Sequence, residues 1–146
     1  MYIPRKEGYD EMTSEIRTLL LELDWNNKEK QNRAIKALSN RKDYDLKVLI
    51  SPLQVELYDT NEIWWKDVAE GCAIVISNKS DGEIISLLPN LLVWLQDLNW
   101  PGATIILDRL KKILYSKIEA YVNQAITKAK EDNDDQWVEW LNLLRK

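Results

Sequence analysis

The chain has no histidine and one cysteine, Cys72, so the side chains left for chemistry are carboxylates, cations and hydroxyls. A Ser-His-Asp or Cys-His nucleophile system cannot be assembled from these residues. Nor can a zinc site built on histidine or on paired cysteines. Carboxylates are plentiful, but none stands isolated in an apolar stretch, where burial would raise its pKa and make it a general acid. Cys72 falls on an apolar helical face and reads as an inert buried thiol. A lone cysteine forms no internal disulfide and suits a reducing cytosol. The expectation is a protein that is not an enzyme and carries neither a cofactor nor a metal.

What remains is binding. The densest charge cluster is Glu131-Asp132-Asn133-Asp134-Asp135, with Glu139 one helical turn on. Asp134 can cap the last helix, and acids in a first turn complement the helix dipole. The cluster exceeds what a cap requires. Asp132, Asp134, Asp135 and Glu139 therefore form a candidate surface for a basic protein partner. Trp64 is a second candidate. Adjacent helix positions are about 100° apart, so Trp64 and Trp65 cannot both face the core, and exposed tryptophan is enriched at interface hot spots. Asp97 is the third, in a corner where capping and turn rules already explain the neighbouring residues.

A basic stretch, Lys28, Lys30, Arg33, Lys36, Arg41 and Lys42, is interrupted by Glu29 and has no interleaved aromatic. It reads as a solvated helix face. With net charge −4 and a pI near 5.0, the chain lacks the basic surface that nucleic acid or an anionic membrane attracts. DNA binding through the second helix is the alternative reading.

These groups must be positioned by helices. Apolar residues make up 45% and charged residues 30%, too apolar for disorder, and 146 residues suffice for one core. Helical periodicity runs through nearly every segment, and no segment alternates as a strand would. Thr13 or Ser14 starts a helix with its stripe at Ile16, Leu19, Leu20 and Leu23. A second helix turns Ala34, Ile35 and Leu38 inward. Asp43 to Ile50 reads as a short helix stopped before Pro52. Thr60 or Asn61 starts a long helix with Trp65, Val68, Ala69, Cys72 and Ile76 on one face. Gly71 within it costs about 1 kcal/mol against alanine and marks a close helix approach.

Ser80-Asp81-Gly82-Glu83 has the spacing of a capping box. The stripe Ile84, Leu88, Leu91, Leu92, Leu95 and Leu98 follows, with Pro89 either kinking it or opening a new helix. Leu95 and Leu98 should be buried and Gln96 not. Pro101 suits the first position of the next helix, with Asn99 or Trp100 as cap and Trp100 filling the space between paired helices. Its stripe is Ile106, Leu110, Ile113 and Leu114. Ser116 onward carries Ile118, Tyr121, Val122, Ala125 and Ala129 on one face, and Trp137, Trp140, Leu141 and Leu144 line the last helix.

Two corners look alike. Ile16, Leu19, Leu20 and Leu23 before Trp25 match Leu91, Trp94, Leu95 and Leu98 before Trp100 in phase, so a helix-corner-helix unit occurs twice. Trp25 and Trp100 should then sit equivalently, each between the helices of its own pair. The block from Trp65 to Ala69, then Ser80-Asp81, then Leu92-Val93-Trp94-Leu95-Gln96-Asp97-Leu98-Asn99-Trp100-Pro101-Gly102-Ala103 resembles an uncharacterised bacterial family, domain-of-unknown-function family 5071. The resemblance is strongest over residues 60–115, and the final forty residues carry no recognisable motif. It implies a HEAT-like α-repeat and no activity.

The sequence thus predicts an all-α protein: HEAT-like antiparallel helix pairs stacked as a short right-handed solenoid of about seven to eight helices, in a single domain over residues 1–146. Met1-Tyr2-Ile3-Pro4-Arg5-Lys6-Glu7 has no apolar signal-peptide core, and no apolar run approaches the roughly 18 residues of a membrane span. The expected role is a cytoplasmic protein-interaction module, an immunity or adaptor protein with one protein partner.

Overall fold

A computed structural model describes residues 14–50 and 65–145. Among these residues there are eight α-helices and no strand. They are α1 (Ser14–Leu21), α2 (Lys28–Asn40), α3 (Trp65–Ser77), α4 (Asp81–Ile85), α5 (Leu88–Trp94), α6 (Ala103–Lys111), α7 (Glu119–Glu131) and α8 (Asp135–Asn142). Short 3-10 turns occupy Leu46–Leu49 and Tyr115–Lys117. The fold is all-α, as the periodicity implies.

The middle of the fold is α3. Val68, Ala69, Gly71, Cys72, Ala73, Val75 and Ile76 are all buried, while Lys66 is exposed and Glu70, Ile74 and Ser77 are half-buried along the remaining side. An apolar face this wide is covered by neighbours on several sides. It packs against α1, α2 and the 3-10 turn at Leu46–Leu49 within the N-terminal half, and against α6 within the C-terminal half. Beyond α6, the helix α5 contacts both α6 and α7, and α7 contacts α8. One apolar cluster connects them from Ile16 to Leu144.

Small residues on α3 let two chain corners press onto it. A methyl on Gly71 would lie 3.0 Å from Cβ of Leu23 and 3.1 Å from the Leu23 carbonyl, which is the close approach the helical glycine predicts. A methyl on Gly102 would lie 2.7 Å from Cβ of Ala73 and 3.0 Å from the Ala69 carbonyl. Gly102 also has φ of +84°, a left-handed conformation that glycine adopts without steric cost.

Local stops and starts follow the side chains. Asn27 caps α2 by accepting from the Lys30 amide at 3.1 Å. Ser80 and Glu83 form the expected reciprocal capping box. Of the two outcomes open at Pro89, a new helix is the one adopted, since α4 ends at Ile85 and Pro89 lies in the first turn of α5. The buried Gln31 donates to the Leu23 carbonyl at 3.1 Å and accepts from Lys28, so it seals the corner between α1 and α2.

Several expected boundaries are corrected. The stretch Asp43–Ile50 contains only one 3-10 turn, capped by Asp45. Helix α5 ends at Trp94, so Leu95 is fully buried while Leu98 lies in the corner, half-buried like Gln96. Helix α6 begins at Ala103 with Gly102 as its cap, not at Pro101, because the chain must first settle on α3. The ring that closes this corner is Trp94, fully buried, with its indole N–H donating to the Pro101 carbonyl at 3.1 Å. Trp100 is only half-buried. Leu114 is 67% exposed because α6 has ended at Lys111 and the stripe no longer applies. Helix α7 starts at Glu119, after the Tyr115–Lys117 turn.

Trp25 and Trp100 do not make equivalent contacts. The Trp25 indole reaches out of its own helix pair to Asp67 on α3, at 3.1 Å. Thr13, the start of α3 at Thr60 or Asn61, Trp64 and the Trp65 side chain lie outside the described residues.

Candidate functional site

The acidic cluster sits on the tight corner joining α7 to α8. Asn133 turns the chain with φ of +57°, a left-handed value that asparagine tolerates better than most residues. The Asp134 amide then donates back to the Ala129 carbonyl at 2.8 Å. The Asp134 carboxylate accepts from the Trp137 amide at 3.1 Å, the cap its position predicts. Asp132 accepts from the Lys128 ammonium at 3.2 Å, one turn back along α7. Glu131, Asp135 and Glu139 are exposed and pair with no cation among the described residues.

Trp137 anchors this corner to the rest of the protein. Its ring is buried, and its indole N–H donates to the Leu92 carbonyl of α5 at 2.9 Å. Beside it lies a groove of about 190 Å³. Pro89, Leu92 and Val93 of α5 form one wall, Tyr121, Gln124, Ala125 and Lys128 of α7 the other, and Trp137 of α8 completes the lining. The groove is mostly carbon, with cationic and amide groups supplied by the exposed Lys128 and Gln124.

Of the residues expected to bind, Asp132, Asp134, Asp135 and Glu139 therefore share one corner. Asp97 belongs to a different corner, between α5 and α6, where its carboxylate accepts from the Asn99 amide at 2.8 Å. That bond accounts for Asp97 by local turn geometry. Trp64 lies outside the described residues. The groove was not legible as a site in the sequence. Tyr121 and Ala125 read there as core, yet both are half-buried. Pro89, on the groove's rim, read only as a kink or the start of a helix, and the structure shows the helix start.

Two cationic clusters are spent on helix ends. Lys79, 5% exposed, donates to the carbonyls of Leu38, Ser39 and Arg41 at 3.0, 3.1 and 2.7 Å, at the C-terminal end of α2. Burial pulls its pKa below the usual lysine value. The Tyr44 hydroxyl also donates to Leu38, and the Lys79 ammonium lies 5.3 Å from the Tyr44 ring centre. Arg109 repeats the arrangement at the end of α3, donating to the Ser77 and Lys79 carbonyls and pairing with Asp81 at 2.7 Å. On the basic face of α2, Lys28, Lys30, Arg33 and Lys36 are exposed. Arg41 is held between Glu15 and Asp43. Cys72 is fully buried.

A family model described as a domain of unknown function, DUF5071, matches residues 72–144, half of the chain. The chain belongs to this family. The DUF5071 match begins inside α3 at Cys72 and runs past α8 to Leu144. It therefore includes all but the last two of the final forty residues, where no motif was recognisable, and leaves out residues 60–71. Both walls of the groove and the whole acidic corner lie within the DUF5071 portion; Trp64 and the basic face of α2 lie before it. No curated protein and no solved structure matches the chain. No helix among the described residues is long and apolar enough to cross a membrane.

Proposed function

We propose that this chain is a HEAT-like helical module that binds one basic protein partner through the α7–α8 corner, acting as a non-enzymatic immunity or adaptor protein in the cytoplasm. Support for a stacked arrangement comes from the packing order: the α1–α2 corner, then α3, α6, α5, α7 and α8, each in contact with the next. Cations from a following segment, Lys79 and Arg109, hold the ends of α2 and α3, as neighbouring units of a stack would. The observation that carries the binding role is the pairing of an apolar groove with the exposed carboxylates of Glu131, Asp135 and Glu139, which pair with no cation among the described residues. Charge of one sign beside an apolar patch steers a partner of opposite sign and then lets it bury area.

DNA binding through α2 has less behind it. Arg41 is neutralised by two carboxylates, and Lys28 reaches toward Glu70 at 3.8 Å.

The test compares tagged wild type with a D132N/D134N/D135N/E139Q variant, both checked for helicity, in capture from the source cell at low salt. Asparagine caps a helix as well as aspartate, so the fold should survive. A basic protein held by wild type and released by the variant supports the proposal. Identical capture profiles overturn it, as would duplex DNA binding that Lys30→Glu abolishes.

A further inference from the structure

We infer that the groove between α5 and α7 seats one apolar side chain of the partner, and that basic residues flanking that side chain meet the acidic corner. This inference rests on the reading of the corner as a protein-binding surface and names the chemistry of what is bound. The groove measures about 190 Å³. An apolar cavity of about 150 Å³ holds one benzene molecule. The capacity is therefore a single leucine- or phenylalanine-sized side chain.

The lining explains why that side chain must be apolar. Pro89 and Val93 face Tyr121 and Ala125 across the groove, with Trp137 beside them. The Trp137 indole N–H is already bonded to the Leu92 carbonyl, so its ring offers carbon and no donor. A polar side chain placed there would lose water and gain no matching partner from that ring.

The corner explains why the flanking residues must be basic. Asp132 touches the groove residue Lys128 through a 3.2 Å ion pair, and Asp134 bonds the amide of the groove residue Trp137. Glu131 and Asp135, on the same corner, are exposed and pair with no cation among the described residues. Lysine or arginine on either side of a seated apolar residue would satisfy these carboxylates. An acidic segment would meet repulsion at the same place.

The full chain is titrated with three synthetic peptides. One has a phenylalanine flanked by lysine and arginine, one has alanine in its place, and one has the phenylalanine flanked by glutamate. Binding is read from the NMR signals of the Trp137 indole N–H, Val93 and Ala125. The basic phenylalanine peptide should bind about 10- to 100-fold more tightly than the alanine peptide, the range that burying one large apolar side chain gives. It should also move the groove signals, and the acidic peptide should not bind. Ala125→Leu and Val93→Met fill the groove from two different half-buried walls. Either variant that remains folded should lose the preference for phenylalanine. Equal affinity for the two basic peptides would overturn the groove assignment while leaving the acidic corner as a partner surface. Equal affinity for acidic and basic phenylalanine peptides would overturn the link between groove and corner. Absence of binding by all three would overturn both parts of the inference, whereas failure of the proposed function shows separately, as unchanged partner capture by the neutralised corner.

Discussion

Trp25 is bonded twice to Asp67, its indole N–H donating to the carboxylate at 3.1 Å and its backbone N–H to the carbonyl at 2.9 Å. This pair fastens the corner between α1 and α2 to the first turn of α3. Asp67 also places negative charge where the helix dipole favours it. Trp25→Phe keeps an aromatic ring and the backbone bond but removes the indole donor. It should cost about 1 kcal/mol in denaturant unfolding. A double-mutant cycle with Asp67→Ala should return a coupling of similar size, and zero coupling would make the contact incidental.

Gly102 is the position where the least added volume should do the most harm. Its left-handed φ penalises any side chain by about 1–2 kcal/mol, and a methyl there would overlap Ala73 at 2.7 Å. Overpacking adds about 1–3 kcal/mol, so Gly102→Ala should destabilise by about 2–5 kcal/mol. Ala73→Gly removes the 2.7 Å overlap but adds a helical glycine that costs about 1 kcal/mol against alanine. Gly102→Ala should therefore cost less when measured against Ala73→Gly than against the wild type. Thermal unfolding of the wild type, both single variants and the double variant checks this.

Lys79 holds three carbonyls with one amine. Lys79→Met leaves those acceptors without that donor and should cost about 1–3 kcal/mol. The exposed Lys30→Met should change stability by less than about 0.5 kcal/mol. Hydrogen exchange should localise the Lys79 effect to the C-terminal turn of α2. A uniform rise across the fold would mean the amine secures more than that helix end.

The Glu83 carboxyl is held below the usual range by the hydroxyl and then the amide of Ser80, both of which donate to its charged form. The folded carboxyl thus titrates lower than the unfolded one, near pH 4.3 in a free chain. The stability it confers is present above that value and is lost as pH falls through the folded one. Glu83→Gln keeps an acceptor at the capping box but cannot titrate. The difference in melting temperature between wild type and this variant should therefore shrink below about pH 4. A constant difference from pH 7 to pH 3 would remove Glu83 from the acid response.

Local rules carried the parts of the fold that local contacts decide. Ser80 and Glu83 are three residues apart, so their capping box follows from spacing alone, as does the Asp134 cap on α8. The Asn99 amide bonded by Asp97 is also a short-range matter. Apolar spacing likewise picked out Ala34 and Leu38, Val122 and Ala129, and Leu141 as core, because a helix places residues three and four apart on one face. The glycine at 71 marked a close approach without saying to what.

What tertiary structure alone decided are the contacts between distant segments. The end of the α5 stripe is one case: the sequence continues its periodicity to Leu98, but the chain leaves the helix at Trp94 so that Gly102 can rest on Ala73. No neighbour in sequence imposes that turn. Lys79 is another, since a lysine before a cap reads as solvated until the α2 carbonyls are seen around it. The groove is a third. Its walls are far apart in sequence, 28 residues at the least between Val93 and Tyr121, and Tyr121 and Ala125 show a core-like spacing, so only the distance at which α7 packs against α5 leaves them half open. Periodicity reports which side of a helix is apolar; how completely another helix covers that side is a property of the assembled fold.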